Sequence, residues 1–436
     1  MKMTFPLPKP PAKMQKKLST VELNKKLADA FQQFQVAIQR DDFAQAYSKI
    51  LPAHQLLPQH PKILMDLAYT ELKLKKLDLA YTHYLKAIKY SGADVDPNIY
   101  DGLTEVCYFL EKHDEYVKNG QLAIERKKKL TAQEPVIQQI DSVPEAFHAA
   151  NPKENIIAFS LFGNLPRYCE TSIINVDLAK QIYPEWTCRF YVDATVTEVV
   201  KDRLRQRGAE VVEVTAAQQQ LSGLFWRFLV MDDPQAKRFL IRDADSLVSY
   251  REKAAVDAWL QSEKWFHNMH DFYTHTELVL AGMWGGCHGV FRNVEQHIRD
   301  FIATGRFLNT RVMDQHYLRY AIWPTLCQSL MTHDSQGFDV LGLPFPAADQ
   351  HTDFEDLSQF HVGMNDGSAQ VQASVTVPNA AEVDWILSDE QQQPVCRYRA
   401  QVRDHQKIHL ELPRSYARKI ENKQWKLLMY ATENTD

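Results

Sequence analysis

The string RFLIRDADS sets Asp243 and Asp245 directly after a short run with an apolar centre. Carboxylates spaced i, i+2 at a strand end can both reach one divalent cation. A cation held there can bridge the two phosphates of a nucleoside diphosphate and stabilise its charge as it departs. Oxygen ligands favour Mg2+ or Mn2+ over Zn2+. A second such pair, Asp94 and Asp96, stands before Pro97 between two helical stretches and reads as a loop. The segment HNMHDFYTH brings together His267, His270, Asp271 and His275, but its spacing fits no common zinc signature.

A sheet must hold the Asp pair. ENIIAFSLFG suits a buried strand and precedes a helical stretch, Tyr168 to Ile182. TCRFYVD (187–193), AEVVEV (209–214) and RFLIRD (238–243) are further strands. Between them lie a helix from Thr197 to Arg207, stopped at Gly208, and the helical FWRFLVMDD; REKAAVDAWLQS forms another helix after the Asp pair. This alternation predicts a mainly parallel α/β sheet covered on both faces. Ligands of such sheets bind outside the carboxyl ends of the strands.

The flanking regions have other textures. Residues 1–20 hold four prolines among lysines and predict a flexible basic tail. Residues 21–130 are helical and self-similar: Ala46 and Ala80 are 34 apart, as are Ala53 and Ala87. That period, with small residues at these places, is the signature of tetratricopeptide repeats. Leu67, Leu74, Tyr84 and Ile88 would fill the space between helices, and a degenerate third copy runs from Pro97 to Ile124, with Ala123 matching Ala87. Such stacks offer a surface to a peptide, a partner or a second copy of the chain. The cluster Arg126–Lys129 sits at a helix C-terminus, where the helix dipole favours it. Residues 131–152 read as a linker, 153–369 as the α/β domain, and 370–436 as a small all-β domain, sandwich-like.

Composition narrows the class. Of 436 residues, 45% are apolar and 24% charged, the mix of a folded globular chain. A net charge of -5 gives no basic field for nucleic acid. No run of about 18 apolar residues suits a membrane span, and MKMTFPLPKPPAKMQKK lacks the apolar core of a secretion signal. The six scattered cysteines read as reduced thiols. A cytoplasmic setting is expected, the basic tail being the segment suited to a membrane surface. Fifteen glycines and no GxGxxG or Walker A string disfavour dinucleotide and P-loop enzymes.

An ordered set of strings runs through the middle domain: FSLFGNLPRY, YPEWTCRFYVD, FWRF, RDADS, FHNMHDFYTH, AGMWGG, DQHYL and MTHDS. Residues 155–365 thereby resemble GT-A-type glycosyltransferases, more narrowly bacterial GT-A-like domains that follow tetratricopeptide repeats, and more loosely glycogenin-like enzymes. HVGMNDG at 361–367 lacks the Lys-Pro-Trp that ends the glycogenin-like string HxGxxKPW, so the resemblance does not carry over retaining stereochemistry.

The resemblance implies a metal-dependent transfer of a sugar from a nucleotide diphosphate sugar, a UDP-sugar first, to a saccharide, protein or peptide acceptor. It implies that Ser160, Leu161 and Gly163 take base and ribose, that Tyr168 stacks on the base, and that Arg227 and Arg242 lie near the diphosphate. Ser246 would steady the Asp pair, and AGMWGG, with Gly282 and Trp284, would approach the sugar. The metal, Mn2+ or Mg2+, would be held by Asp243, Asp245 and a neutral imidazole, His333 first and His361 second. Asp271, His275 and Asp314 would face the sugar or acceptor; in an inverting enzyme one of the two carboxylates is the general base. His270 and Phe272 stand where the resembling domains carry Arg and His. The rival expectations are a repeat scaffold with an inactive GT-A-like domain and a nucleotidyltransferase.

Overall fold

The computed structural model describes residues 19–307, 312–378, 380–403 and 406–432. Most of the expected basic tail, residues 1–18, lies outside the described residues. The chain divides into two compact units between Asn119 and Gly120.

The first unit is helical. It holds α1 (Thr20–Gln39), α2 (Phe43–Leu56), α3 (Pro61–Lys73), α4 (Leu77–Ser91) and α5 (Pro97–Phe109); α6 (His113–Leu130) crosses the division. Ser19 and Glu22 close a capping box at the start of α1. The alanines that set the repeat, Ala46, Ala53, Ala80 and Ala87, are buried, as small residues between close helices must be. Leu67 and Tyr84 are buried with them, and Leu74 and Ile88 half-buried. Gly102 of α5 makes room for the Tyr84 ring. Asp96 is indeed a loop residue: its carboxylate caps α5 by accepting the Asn98 N–H.

The second unit is built on a seven-stranded sheet. Its elements are β1 (Asn155–Leu161), α7 (Pro166–Ile182), β2 (Thr187–Val192), α8 (Glu198–Gln206), β3 (Glu210–Glu213), β4 (Arg238–Arg242), α9 (Tyr250–Leu260), β5 (Phe266–His270), β6 (Met283–Cys287), α10 (Val294–Ala303), α11 (Met313–Tyr317), α12 (Trp323–Leu326) and β7 (Leu330–Asp334). Strand order is β3-β2-β1-β4-β6-β5-β7. β1, β2, β3 and β4 run parallel, β6 runs antiparallel to both β4 and β5, and β5 pairs parallel with β7. FWRFLVMDD lies in a 3-10 segment, Gly223–Asp232, rather than an α-helix.

The C-terminal region comprises β8 (Ala369–Ser374), β9 (Glu382–Ser388), β10 (Pro394–Gln401), β11 (Lys407–Leu412), α13 (Arg414–Glu421) and β12 (Lys426–Ala431). The strands form two antiparallel sheets, β10-β9-β12 and β11-β8. α13 was not legible as a helix in the run of strands. This region shares one continuous core with the large sheet: Trp385, Tyr398, Ile408, Leu412 and Tyr416 join Phe159, Phe190, Ile173 and Leu240. Glu170 of α7 is buried and accepts hydrogen bonds from Arg203 (2.7 and 2.8 Å), Tyr398 (2.6 Å) and Tyr416 (3.2 Å).

Two segments are more tightly held than their composition suggests. Residues 131–151 contain no regular element, yet Ile137 donates to Thr325, Trp265 donates to the Ser142 carbonyl, and Arg238 donates to the Glu145 carbonyl. At the end of α6, Lys127 is buried, donates to the Thr276 carbonyl at 2.8 Å and pairs with Glu277 at 3.2 Å. The helix dipole therefore does not account for that lysine; a buried ion pair does.

Candidate functional site

Strand order reverses beside β1: β2 lies on one side and β4 on the other. The crevice outside the carboxyl ends of such a pair is where open α/β sheets bind ligands. A cleft of about 230 Å³ opens there, lined by Ser160, Leu161 and Phe162 after β1, Tyr168 of α7, Leu224 and Arg227 of the 3-10 segment, and Asp243, Ala244 and Asp245 after β4. β4 is buried along its whole length, which makes it a rigid base for the Asp pair.

Each predicted residue on this cleft has a definite set of contacts. The Arg227 N–H donates to Ser160 Oγ at 2.9 Å, tying the 3-10 segment to β1. The Arg227 guanidinium is buried and spans two carboxylates, Asp243 through one nitrogen and Asp314 through the other at 2.9 Å. Burial works against its charge, but Asp243 and Asp314 outweigh burial and hold it ionised. Asp245 accepts from Arg167 at 3.2 Å and from Asn365 at 2.8 Å. Burial, then the neighbouring Asp243 charge, pushes the Asp245 carboxyl above its ordinary range. Ser246 donates to the Gly363 carbonyl at 3.0 Å, so the 361–367 loop is laced to the Asp pair. Tyr168 is half-buried with the Arg167 guanidinium 4.8 Å from its ring centre. Gly163 turns the chain after β1 at φ +76°, a conformation that suits glycine. Gly282 packs against the Asp243 carboxylate, where a Cβ would collide.

Several predicted residues are placed elsewhere. His333 lies on β7, three strands from β4, a separation of about 14 Å at ordinary strand spacing. Its Nδ1 meets His267 Nε2 at 2.8 Å, so it does not complete the carboxylate pair. Arg242 is buried and held in contact with Glu252 at 3.1 Å and the Trp284 carbonyl at 3.0 Å. Trp284 is a core residue packed edge-on to Phe239 and Phe228. Neither is placed to touch a donor.

The candidate bases are occupied. Both Asp271 oxygens are taken by Arg251, at 2.7 and 2.9 Å, and the Val362 N–H adds a third bond at 2.8 Å. Asp271 thus anchors the start of the 361–367 loop. His275 accepts the Asp271 N–H at 3.0 Å through Nδ1, and burial holds it neutral. Asp314 is bound to Arg227; burial raises its carboxyl although Arg227 opposes this. His361 stacks on Phe272 with ring centres 3.6 Å apart and turns Nδ1 to the Gln359 carbonyl.

Sequence reading missed Arg167 and Asn365, which grip Asp245. The signal was present in part: Arg167 stands in the NLPRY string after β1 and Asn365 in HVGMNDG.

The Asp pair suits a hard cation. Asp243 is 44% exposed on the cleft, and the buried Asn365 Oδ1 beside Asp245 has no partner among the described residues. No group of three His, Cys, Asp or Glu among the described residues forms a complete cage. Mg2+ and Mn2+ are commonly held by one or two carboxylates together with substrate phosphates, so the residues present fit an ion that arrives with a nucleotide.

No family model and no curated protein matches this chain. Among solved structures it is similar to a mutant O-GlcNAc transferase of Thermobaculum terrenum, at 11% identity and TM-score 0.26, over 46% of this chain and 44% of that one. It is similar to a 4-diphosphocytidyl-2C-methyl-D-erythritol synthase of Anaerococcus prevotii, at 12% identity and TM-score 0.27, over 43% and 90% of the two chains. It is also similar to glucosyl-3-phosphoglycerate synthase of Mycobacterium tuberculosis in complex with UDP, at 12% identity and TM-score 0.24, over 49% and 82%. The chain spans less than half the length of the first of these. No helix among the described residues is long and apolar enough to cross a membrane, and the six cysteines are free, with Cys327 exposed.

Proposed function

We propose that the chain is a metal-dependent glycosyltransferase that moves a sugar from a nucleotide diphosphate sugar, a UDP-sugar first, to an acceptor hydroxyl. The observation that carries this is the position of Asp243 and Asp245, side by side at the carboxyl end of β4 where strand order reverses. When bound, Mn2+ or Mg2+ neutralises charge on the diphosphate as the sugar leaves it. Asp243 and Asp245 would hold the ion. Ser160, Leu161 and Tyr168 would receive the base and ribose, and Arg227 would offer its guanidinium to the phosphates. Ser246, Asn365 and Arg167 orient the Asp pair.

No carboxylate outside that pair lines the cleft among the described residues, and Asp271 and Asp314 are each held by an arginine. This favours a transfer in which neither acts as a free base. The helical repeats are proposed to bind an acceptor, a partner or a second copy, and the free thiols fit a reducing, cytoplasmic setting. A binding-only role for the domain is the second reading, favoured by the pairing of Arg227 with Asp243, which leaves that guanidinium already neutralised.

A thermal-shift panel of nucleotide sugars with and without Mn2+ separates the two. A stabilisation that needs both nucleotide and Mn2+ supports the transferase reading, and no response to any nucleotide supports the second.

A further inference from the structure

Each carboxylate of the Asp pair is held by an arginine. Asp243 accepts from Arg227, and Asp245 accepts from Arg167 at 3.2 Å. Each guanidinium reaches a second carboxylate with its other terminal nitrogen. Arg227 Nη2 meets Asp314 at 2.9 Å, and Arg167 Nη1 meets Glu411 at 2.8 Å. Two unrelated elements, α11 and β11, thus supply the same arrangement to the two members of the pair. Neighbouring carboxylates repel each other. The two guanidinium charges offset that repulsion, and together they equal the charge of one divalent cation.

The arrangement also lets both arginines withdraw without stranding a buried group. Arg227 Nη1 donates to the Arg242 carbonyl at 3.3 Å as well, so it keeps a partner when Asp243 turns away. Asp245 Oδ2 accepts from Asn365 at 2.8 Å as well, so it keeps a donor when Arg167 turns away. The second carboxylates are themselves fixed. Glu411 accepts from Gln370, its neighbour across the β8–β11 pair, at 3.0 Å, and Asp314 accepts the Gln315 N–H at 3.0 Å. A buried polar group that loses its only partner is costly, and these extra contacts avoid that cost.

We propose that Arg227 and Arg167 stand in for the divalent cation on the Asp pair, that the cation displaces them, and that Asp314 and Glu411 are positioning residues that hold the displaced guanidinium groups. This rests on the reading of the Asp pair as the metal site of a transferase. Cation and guanidinium groups compete for the same carboxylates, so Mn2+ alone binds weakly. With the cation on Asp243, the charge of Arg227, which lines the cleft, becomes available to a diphosphate. Metal and nucleotide then strengthen each other's binding. Glu411 gives the C-terminal region a part in this site.

Titration of Mn2+ without nucleotide, read by loss of the paramagnetic resonance signal of the free ion, tests this in the parent chain, Arg167→Gln, Glu411→Gln and the double variant. Neither Arg167 nor Glu411 is fully buried, so all four chains are expected to fold. Arg167→Gln should bind Mn2+ about tenfold more tightly than the parent, the scale of one hydrogen bond to a charged group. Glu411→Gln should bind it about twofold to fivefold more weakly, the scale of a partly exposed ion pair. In the Arg167→Gln background the Glu411 substitution should have no effect, because Glu411 acts through Arg167. A carboxylate acting directly on the cation would have the same effect in both backgrounds. Unchanged or weaker Mn2+ binding by Arg167→Gln, or equal effects of Glu411→Gln in the two backgrounds, overturns the proposal. If the parent nevertheless responds to UDP and Mn2+ together, the transferase reading stands without the exchange. No Mn2+ binding by any of the four chains, with or without UDP, removes both.

Discussion

Gly282 yields the space that the Asp243 carboxylate occupies: a Cβ at position 282 would collide with Oδ2 and Cγ of that side chain. The chain entering β6 therefore fixes how Asp243 faces the cleft. Gly282→Ala should still fold, at a cost of about 1–3 kcal/mol for overpacking. It should lose most of the Mn2+-dependent stabilisation by UDP. Retention of the parental response in a thermal-shift titration would show that the position of Asp243 is not critical.

Arg227 is the counterpart of that constraint. Removing one partner from a buried ion pair costs about 3–5 kcal/mol. Asp243 is partly exposed and screened, so the lower end applies. Urea denaturation of Arg227→Ala should show a loss of about 3 kcal/mol. Mn2+ should raise the melting temperature of this variant more than that of the parent chain, because Asp243 and Asp314 are left without their cation. A variant as stable as the parent and indifferent to Mn2+ would contradict the arrangement.

How much of this was readable from the sequence varies by element. The strands β1, β2 and β4 are short and mainly apolar because both sheet faces are covered, and their position announced the Asp pair. The alanine spacing announced the helix pairs for an equally direct reason, since only small residues allow that approach. Arg242 could have been set aside from the same string, because neighbouring strand residues face opposite ways. The fates of His333, Asp271 and Asp314 could not be read. Each depends on a partner 20 to 87 residues away, namely His267, Arg251 and Arg227, and spacing along the chain carries no trace of such pairings. The antiparallel course of β6 was equally hidden, because parallel and antiparallel buried strands share the same composition.

The His267–His333 pair makes stability depend on pH. Burial drives His267 well below its ordinary value and lowers His333 to about 4. Both are neutral in the folded chain at pH values where the unfolded chain already takes up protons. Their contribution is complete above about pH 6.5 and is lost progressively as pH falls from there toward 4. Asp366, raised by burial to about 6, acts in the opposite sense, so the comparison must be with a variant. The double substitution His267→Phe, His333→Leu should lose less melting temperature between pH 7 and pH 4.5 than the parent chain does. Parallel curves would mean that the pair does not titrate in this way.

Glu170 ties the C-terminal strands to α7. Its four hydrogen bonds come from one arginine and two tyrosines, and the carboxylate is buried. Glu170→Leu should cost about 3–5 kcal/mol, the penalty for leaving the Arg203 charge unpaired. Tyr398→Phe should cost about 1.5–3 kcal/mol, the value of a hydrogen bond to a charged group. Because one core serves both regions, a chain ending at residue 368 should not unfold cooperatively in calorimetry. A truncated chain with a sharp transition at the parental temperature would show that the strands are an independent appendage.

The most direct measurement is a calorimetric titration of UDP into the parent chain and into Asp243→Asn, each with and without Mn2+. The account predicts saturable binding to the parent only with Mn2+, and none to the variant under the same conditions, while circular dichroism shows both chains folded. Equal affinity for UDP in the two chains, or binding to the parent that ignores Mn2+, would contradict it.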